Sequence, residues 1–124
     1  MNQEFLYKEL TGAIIGAAMA VHRELGSGFL EKVYENSLCV ELHRRGVSFE
    51  QQKSIPVHYA GEQVGQYFAD LLVDNVVVVE VKHASAIANE HLAQTLHYLK
   101  ATGLKVALIL NFGASSLEYK RLVK

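Results

Sequence analysis

The stretch DLLVDNVVVVEVK, residues 70–82, decides the fold. Its β-branched run, Val76–Val79, is typical of a strand that is buried on both faces. Glu80 and Lys82 follow this run and, because side chains alternate along a strand, they project from the same side. Burying either charge alone is unfavourable by several kcal/mol, so the two charges need each other, a third group or a metal. Asp70 is the third group that the sequence offers.

The turn between the two strands decides whether Asp70 can reach Glu80. If residues 74–76 form a three-residue loop, Val73 faces Val77. Asp70 then falls opposite Glu80. A two-residue loop would instead turn the Asp70 carboxylate to the wrong face of the sheet. A site shared by Asp70 and Glu80 therefore requires a three-residue loop, or a β-bulge that restores the same facing, and this requirement is the predicted register.

The size and composition of the chain indicate one globular domain over residues 1–124. Of these 124 residues, 50% are hydrophobic and 20% are charged, which suits a packed core. The longest weakly polar segment, Gly12–Val21, is too short to span a membrane. Residues 1–5 lack the order of a secretory signal, and the single cysteine, Cys39, leaves no internal disulfide and no cysteine zinc site. We expect a cytoplasmic protein that binds no membrane.

The net charge argues against strong, free-standing nucleic-acid binding. The formal charge is -1 and the sequence pI is about 6.6, whereas nucleic-acid binders usually carry a basic balance. Binding is not excluded, because basic side chains can gather around one cleft while acids lie elsewhere. The candidates for such a cleft are Arg44, Arg45, Lys53, Lys100 and Lys105.

Hydrophobic periodicity predicts an α/β fold in the order ααβββαβ. Helical spacing marks three segments, and β-rich runs mark the others. A helix that links two strands makes a right-handed crossover, so the strand after the third helix should run parallel to Val76–Lys82. The predicted helices are Leu6–Leu25, Phe29–Arg45 and Ile87–Thr102, and the predicted strands are Val47–Tyr59, Gln63–Val73, Val76–Lys82 and Lys105–Asn111, with Leu117–Lys124 as a short edge strand.

The same spacing predicts which side of each helix is buried. In the first helix, Gly12 and Gly16 leave one side thin enough for another element to approach closely. Leucines dominate the predicted inner sides of the other two helices. These sides consist of Leu30, Val33, Ser37, Leu38 and Leu42 in the second helix, and of Leu92, Leu96 and Leu99 in the third.

The order of elements, with an acid in a helix, an aspartate on one strand and Glu-x-Lys on the next, resembles the PD-(D/E)XK nuclease-like superfamily. Gly28, Glu31 and Tyr34 also reproduce the Gly-x-x-Glu-x-x-Tyr spacing of the bacterial GxxExxY protein family. The surrounding segment Glu24–Glu31 strengthens this likeness, which extends over Glu9–Val123. The resemblance implies a restriction-endonuclease-like core, with a central mixed sheet flanked by helices.

The third helix adds to the resemblance, because Gln94 and Tyr98 match the Gln-x-x-x-Tyr pattern of the RecB-like branch. Phe68 departs from it, since relatives more often place a basic residue there, and its absence would weaken phosphate binding. The resemblance implies a divalent-metal site made by Glu31, Asp70 and Glu80, with Lys82 beside the attacking water and with Gln94 and Tyr98 contacting the nucleic acid.

Hydrolysis of a phosphodiester near neutral pH requires these residue types. A hard cation polarises the phosphoryl oxygen and activates a bound water, and carboxylate oxygens are the ligands that Mg²⁺ prefers. A lysine beside the cation supplies positive charge where negative charge grows on phosphorus. The first hypothesis, which follows from the resemblance, is a Mg²⁺- or Mn²⁺-dependent nuclease that hydrolyses phosphodiester bonds of nucleic acid. DNA is the expected partner, and the sequence leaves the choice between DNA and RNA open. The catalytic residues of this nuclease are Asp70, Glu80, Lys82 and Glu31.

Structural roles remain open for each candidate. Glu80 and Lys82 could form a structural pair at a strand end, and Glu31 could only interact with the helix dipole. Gln94 and Tyr98 could be a surface pair. The remaining two candidates are expected outside the site: a capping or packing role is predicted for His22, and a packing role with a satisfied hydroxyl for Tyr34.

A second hypothesis comes from a different class of function. A chain of this size and charge could be a catalytically silent, nuclease-like binding module, or a subunit that depends on an unidentified protein partner. An open sheet edge, at Val47–Tyr59 or at the C-terminus, also gives the chain a reason to form a homodimer.

Overall fold

The computed structural model describes residues 7–124. Within that range the chain has the predicted order of elements, and the short edge strand is present as a fifth strand. The first helix is described from Lys8, and the predicted start at Leu6 lies outside the described residues. The helices are α1 (Lys8–Leu25), α2 (Glu31–Arg44) and α3 (Asn89–Thr102), and the strands are β1 (Phe49–Tyr59), β2 (Glu62–Val73), β3 (Val77–Lys82), β4 (Val106–Asn111) and β5 (Glu118–Val123).

The strands form one mixed sheet in the order β1-β2-β3-β4-β5. β3 and β4 run parallel, with Val77 beside Val106. This confirms the predicted parallel direction of the strand that follows the third helix. The other neighbouring strands are antiparallel. A mixed sheet with helices on both faces is the α/β architecture that the sequence predicts.

Two hydrophobic cores lie on opposite faces of this sheet. Side chains of α1 and α2 pack on one face, where alternate residues of β3 and β4 meet them. The other face packs against α3 and includes residues of the β1–β2 hairpin. The first core contains Ile14, Val21, Tyr34, Leu38, Leu42, Leu71, Val79, Val81 and Leu108, and the second contains Ile55, Tyr67, Ala69, Leu72, Val78 and Leu99.

The predicted inner side of α2 is partly wrong. Leu38 and Leu42 are fully buried, but Leu30 is 80% exposed and Val33 is 39% exposed. The helix begins at Glu31, and its buried stripe starts at Tyr34 and continues four and eight residues later. An aromatic residue in the first turn therefore sets the inward side of the helix, and Val33 is turned away from the core.

The predicted surfaces of the other two helices also need correction. In α3, Leu99 is buried but Leu96 is 38% exposed, because Thr95 rather than Leu96 faces the sheet. In α1, a side chain at Gly12 would meet no atom within 4 Å, so no element approaches there. A Cβ added at Gly16 would lie 3.5 Å from Nη1 of the exposed Arg45 side chain.

A buried asparagine joins the loop after β3 to the end of β4. The side chain of Asn111 is fully buried, accepts the N–H of Ala84 at 2.9 Å and donates to the Ala84 carbonyl at 3.0 Å. The N–H of Gly113 donates to the same amide oxygen at 3.0 Å. This network holds the backbone that follows Lys82.

We predict that Gly113→Ala destabilises the protein. The new Cβ would lie 2.4 Å from the carbonyl oxygen of Ala84, so the backbone must shift and the free energy of unfolding should fall by about 1–3 kcal/mol. Gly12→Ala is the control, because it adds a methyl group in open space inside α1 and should raise stability by about 0.5–1 kcal/mol. Urea titration measures both. Equal stability of the two variants would contradict this packing.

Candidate active site

The turn between β2 and β3 has the predicted length. Asp74 and Asn75 both have positive φ, 50° and 61°, and the N–H of Val76 donates to the carbonyl of Val73 at 3.0 Å. This is the geometry of a tight primed turn, with Val76 as the third loop residue. Val73 pairs with Val77, so the predicted register is confirmed.

The ladder between β2 and β3 ends just before Asp70. The last pair is Leu71 with Val79, and beyond it Asp70 Oδ2 accepts the N–H of Val81 at 2.8 Å. Ala69 packs in the core beneath α3, whereas Leu71 packs in the core beneath α1 and α2. Since residues two apart on a regular strand share a face, β2 changes face at Asp70. The carboxylate therefore reaches β3 from within the plane of the sheet, and not from a face shared with Glu80 as predicted.

Glu80 is a buried acid whose carboxylate lacks a hydrogen-bond partner at one oxygen. It is 8% exposed, and its Oε1 has no hydrogen-bond partner among residues 7–124. Burial, assisted by the charges of Glu31 and Glu35, raises its pKa to about 7, although Lys82 acts in the opposite direction. Lys82 shares its side of β3, because Val81 between them packs in the opposite core. A buried carboxylate oxygen without a partner is unfavourable when the group is ionised, and a positive group beside it would stabilise the charge.

Glu31 lies in the first turn of α2 and remains exposed. Partial burial, followed by the charge of Asp70, raises the pKa of this carboxyl, while Lys82 and His83 act to lower it. The pKa of Asp70 is also raised, chiefly by burial and then by the charge of Glu35, although the hydrogen bond from Val81 acts to lower it. Glu31 therefore interacts electrostatically with both Asp70 and Glu80, and all three acids interact with Lys82.

The tyrosine of the Gly-x-x-Glu-x-x-Tyr segment fixes the loop that precedes Glu31. Tyr34 is fully buried, and its hydroxyl donates to the Gly26 carbonyl at 2.5 Å and accepts the Phe29 N–H at 3.1 Å. Its ring stacks on His83, which contacts the Ser27 carbonyl at 2.6 Å. The satisfied hydroxyl confirms the predicted packing role, and the same contacts place the start of α2 beside the end of β3.

Glu35 is a site-adjacent acid that sequence reasoning missed. It is 3% exposed and accepts hydrogen bonds from Lys32 at 2.9 Å, Gln51 at 2.7 Å and Gln52 at 3.1 Å. Burial alone would raise the pKa of this carboxyl, but the hydrogen bonds outweigh burial and lower it. Glu35 lies one helical turn after Glu31, so the spacing of four could have indicated that both acids face the same region.

Gln94 and Tyr98 contact each other, and Tyr98 also contacts the sheet. Gln94 Nε2 donates to the Tyr98 hydroxyl at 2.9 Å, and the Tyr98 ring stacks on Tyr67 with centroids 3.8 Å apart. Only Gln94 of the predicted pair is exposed. His22 bonds the Ala114 carbonyl at 3.0 Å and lies against Phe112, which confirms its packing role.

The acids form no complete metal site by themselves. Within residues 7–124, no three His, Cys, Asp or Glu side chains are grouped closely enough to hold an ion, so Glu31, Asp70 and Glu80 are not preassembled as a metal site. The donor chemistry nevertheless fits a hard divalent cation. Glu80 offers a buried, unpartnered oxygen, and Mg²⁺ requires only one or two carboxylates because it retains several waters.

Comparison with known proteins gives the family of the chain. The family model described as the PD-(D/E)XK nuclease superfamily matches residues 8–122. The chain belongs to the PD-(D/E)XK nuclease superfamily. No curated protein and no solved structure matches it. In the described part of this superfamily member, no helix is long and apolar enough to cross a membrane.

The superfamily name describes a proline and an aspartate that are followed, further along the chain, by Asp or Glu, any residue and Lys. The sequence has Ala69-Asp70 followed by Glu80-Val81-Lys82, so a match of these residues to that pattern has alanine in the place of proline. Phe68 precedes the pair and is 54% exposed. A basic side chain is therefore missing from an accessible position next to the acids.

We predict that metal-free protein loses stability as the pH rises, because Glu80 must ionise in a buried site. Its pKa of about 7 exceeds the ordinary value of 4.5, so the folded state binds the proton more tightly than the unfolded state. The stabilisation is complete below pH 4.5 and is lost as the pH rises through 7, by roughly 3 kcal/mol. Glu80→Gln cannot ionise and should be more stable than the parent at pH 8 in EDTA.

Urea titrations at pH 5 and pH 8 measure this difference. Glu62→Gln, which removes an exposed carboxylate from β2, is the matched control and should leave the loss of stability unchanged. If Glu80→Gln and the parent lose the same stability between the two pH values, Glu80 does not carry the buried proton.

Proposed function

We propose that this chain is a divalent-metal-dependent nuclease that hydrolyses phosphodiester bonds of DNA. One observation carries the proposal: Glu80 is buried with an unpartnered carboxylate oxygen, at the point where Asp70 interrupts the sheet. Membership of the PD-(D/E)XK superfamily supports the same chemistry. The Gly-x-x-Glu-x-x-Tyr and Gln-x-x-x-Tyr patterns further support assignment to the GxxExxY family and to the RecB-like branch.

Asp70 and Glu80 are the residues that would hold Mg²⁺ or Mn²⁺, with Glu31 as a third acid at the exposed side. A bound cation supplies Lewis-acid activation of water and neutralises charge on the phosphate. Without a cation, the negative charges of Asp70 and Glu80 would repel the phosphate of the substrate. Binding of metal and substrate should therefore be strongly coupled.

Lys82 is the positive side chain of the site. It lies on the same side of β3 as Glu80, and its charge opposes the rise that burial causes in the pKa of Glu80, Asp70 and Glu31. An ammonium group in that place stabilises negative charge as it grows on the transferred phosphoryl group. We assign Lys82 this role, and we assign the exposed Gln94 to contact with the nucleic acid.

A catalytically silent binding module is the second candidate. It is favoured by the absence of a preassembled group of three acids among residues 7–124, and by the net charge of -1. In that case the acids would have no reaction to perform, and a protein partner would supply the affinity for any assembly.

We predict that the purified protein cleaves DNA in the presence of Mg²⁺ or Mn²⁺ and that Lys82→Ala lowers kcat about 100- to 1,000-fold. Asp70→Asn should abolish cleavage, because it removes the ligand charge and replaces one of the two acceptor oxygens with an NH₂ donor. Lys8→Ala, which removes an exposed lysine from the start of α1, is the control and should change kcat little. Gel assays on plasmid DNA, linear DNA and RNA measure the rates.

The outcome separates the two candidates. No cleavage of any nucleic acid with either metal would contradict the nuclease proposal, as would cleavage that is unchanged in Lys82→Ala. Metal-independent association with one specific protein, unaffected by Glu80→Ala, would support the silent module.

A further inference from the structure

Gln52 has an unusual backbone conformation for its place in the fold. Its φ is 51°, in the left-handed region that L-residues rarely adopt. The other non-glycine residues with positive φ lie before α1 or in the tight turns between strands. They are Tyr7, Ala60, Asp74 and Asn75. Among residues 7–124, Gln52 is the one such residue inside a strand. No turn requires this conformation.

The strained residue lies directly across from Asp70. Gln51 pairs with Leu71 and Lys53 pairs with Ala69, so Gln52 and Asp70 are opposite each other, but no ladder pair joins them. β1 changes face at this point just as β2 does, since Phe49 packs in the first core and Ile55, six residues on, packs in the second. Both strands of the hairpin therefore bend at the Gln52–Asp70 position.

The side chain of Gln52 joins two carboxylates. Its Nε2 lies 3.2 Å from Asp70 Oδ1 and 3.1 Å from both oxygens of Glu35. Only the NH₂ end of an amide can face three carboxylate oxygens, because it alone donates. One N–H is shared between the oxygens of Glu35, and the other is directed at Asp70.

A neutral amide suits this position better than a cationic side chain. Lysine or arginine would neutralise Asp70 and would compete with a divalent cation for its charge. Glutamine orients the carboxylate and leaves the negative charge available. Because Gln52 is exposed, its conformation is not explained by burial in a core.

We propose that Gln52 is a positioning residue for the cation site. It fixes Asp70 Oδ1 from β1 while Val81 fixes Oδ2 from β3, so that the carboxylate stays in the plane of the sheet beside Glu80. The left-handed backbone is retained because it places the amide between Glu35 and Asp70. The link to the cation rests on the proposed function, whereas the orientation of Asp70 does not.

Gln52→Gly tests the orientation in metal-free protein. Glycine accepts the left-handed backbone without strain and removes the amide, so the urea midpoint should not fall. The N–H of Val81 should exchange with solvent about tenfold faster by NMR, while that of Val79 should not change. Gln52→Asn, whose side chain is shorter and tolerates the same φ, should act in the same way if the glycine variant fails to fold.

Ala60→Gly is the matched control for backbone strain. Ala60 has φ 52° at the tip of the β1–β2 hairpin, so the change relieves the same strain at a distance from the acids. It should raise the urea midpoint and leave Val81 exchange unchanged. A lower midpoint in Gln52→Gly with unchanged Val81 exchange would overturn the proposal and would assign Gln52 a purely structural role.

Metal affinity gives the second measurement. Supporting residues of this kind typically contribute 10- to 100-fold to metal affinity, so Gln52→Gly should weaken Mn²⁺ binding, measured by EPR, by about that factor and should lower kcat more than it raises KM. Gln51→Ala removes a hydrogen bond to Glu35 but leaves the Asp70 contact, and it should change Mn²⁺ affinity much less. Equal effects of the two variants would overturn the role in positioning Asp70.

The measurements distinguish failure of this proposal from failure of the nuclease proposal. If the parent protein neither binds Mn²⁺ nor cleaves DNA, yet Val81 exchange increases in Gln52→Gly, the orientation role stands without the proposed activity. If the parent protein is an active nuclease and Val81 exchange and Mn²⁺ affinity are unchanged in the variant, the nuclease stands and Gln52 has no positioning role.

Discussion

The hydrogen bond from the Val81 N–H to the Asp70 carboxylate is the interaction on which the arrangement depends. It occupies the place where backbone pairing between β2 and β3 ends, and it keeps an acid between two strands of a buried sheet. Satisfying a buried N–H in this way avoids an unpaired backbone donor and favours the charged form of Asp70. The outer half of the β1–β2 hairpin can then turn toward α3, as Ala69 and Ile55 show.

This arrangement concentrates negative charge where water is scarce. Glu80 keeps a free buried oxygen, and burial, with a smaller contribution from the acids of α2, raises its pKa although Lys82 opposes them. Such pKa values pushed upward by burial and by like charges are common where a protein binds ligands or catalyses a reaction. A divalent cation would remove the repulsion and satisfy the free oxygen. The cost of ionising Glu80 without metal and the proposed catalytic role therefore have the same origin.

Local sequence rules predicted the parts of the fold that depend on neighbouring residues. The turn residues at 74 and 75 fixed the register of β2 on β3, and alternation placed Glu80 with Lys82. Contacts between distant segments were not predictable in this way. The role of Gln52 depends on a left-handed backbone and on Glu35 from another element, and the exposure of Val33 depends on how Tyr34 packs against the sheet. One sequence contains no signal for either of these long-range contacts.

Crystals of the protein soaked in Mn²⁺ and measured at the manganese absorption edge test the central claim most directly. The anomalous difference map should show one peak bound by oxygens of Asp70 and Glu80, with the Lys82 ammonium nearby and waters completing the coordination. A map without a peak at saturating Mn²⁺, or with a peak that contacts neither Asp70 nor Glu80, would contradict the claim that these two acids share a cation.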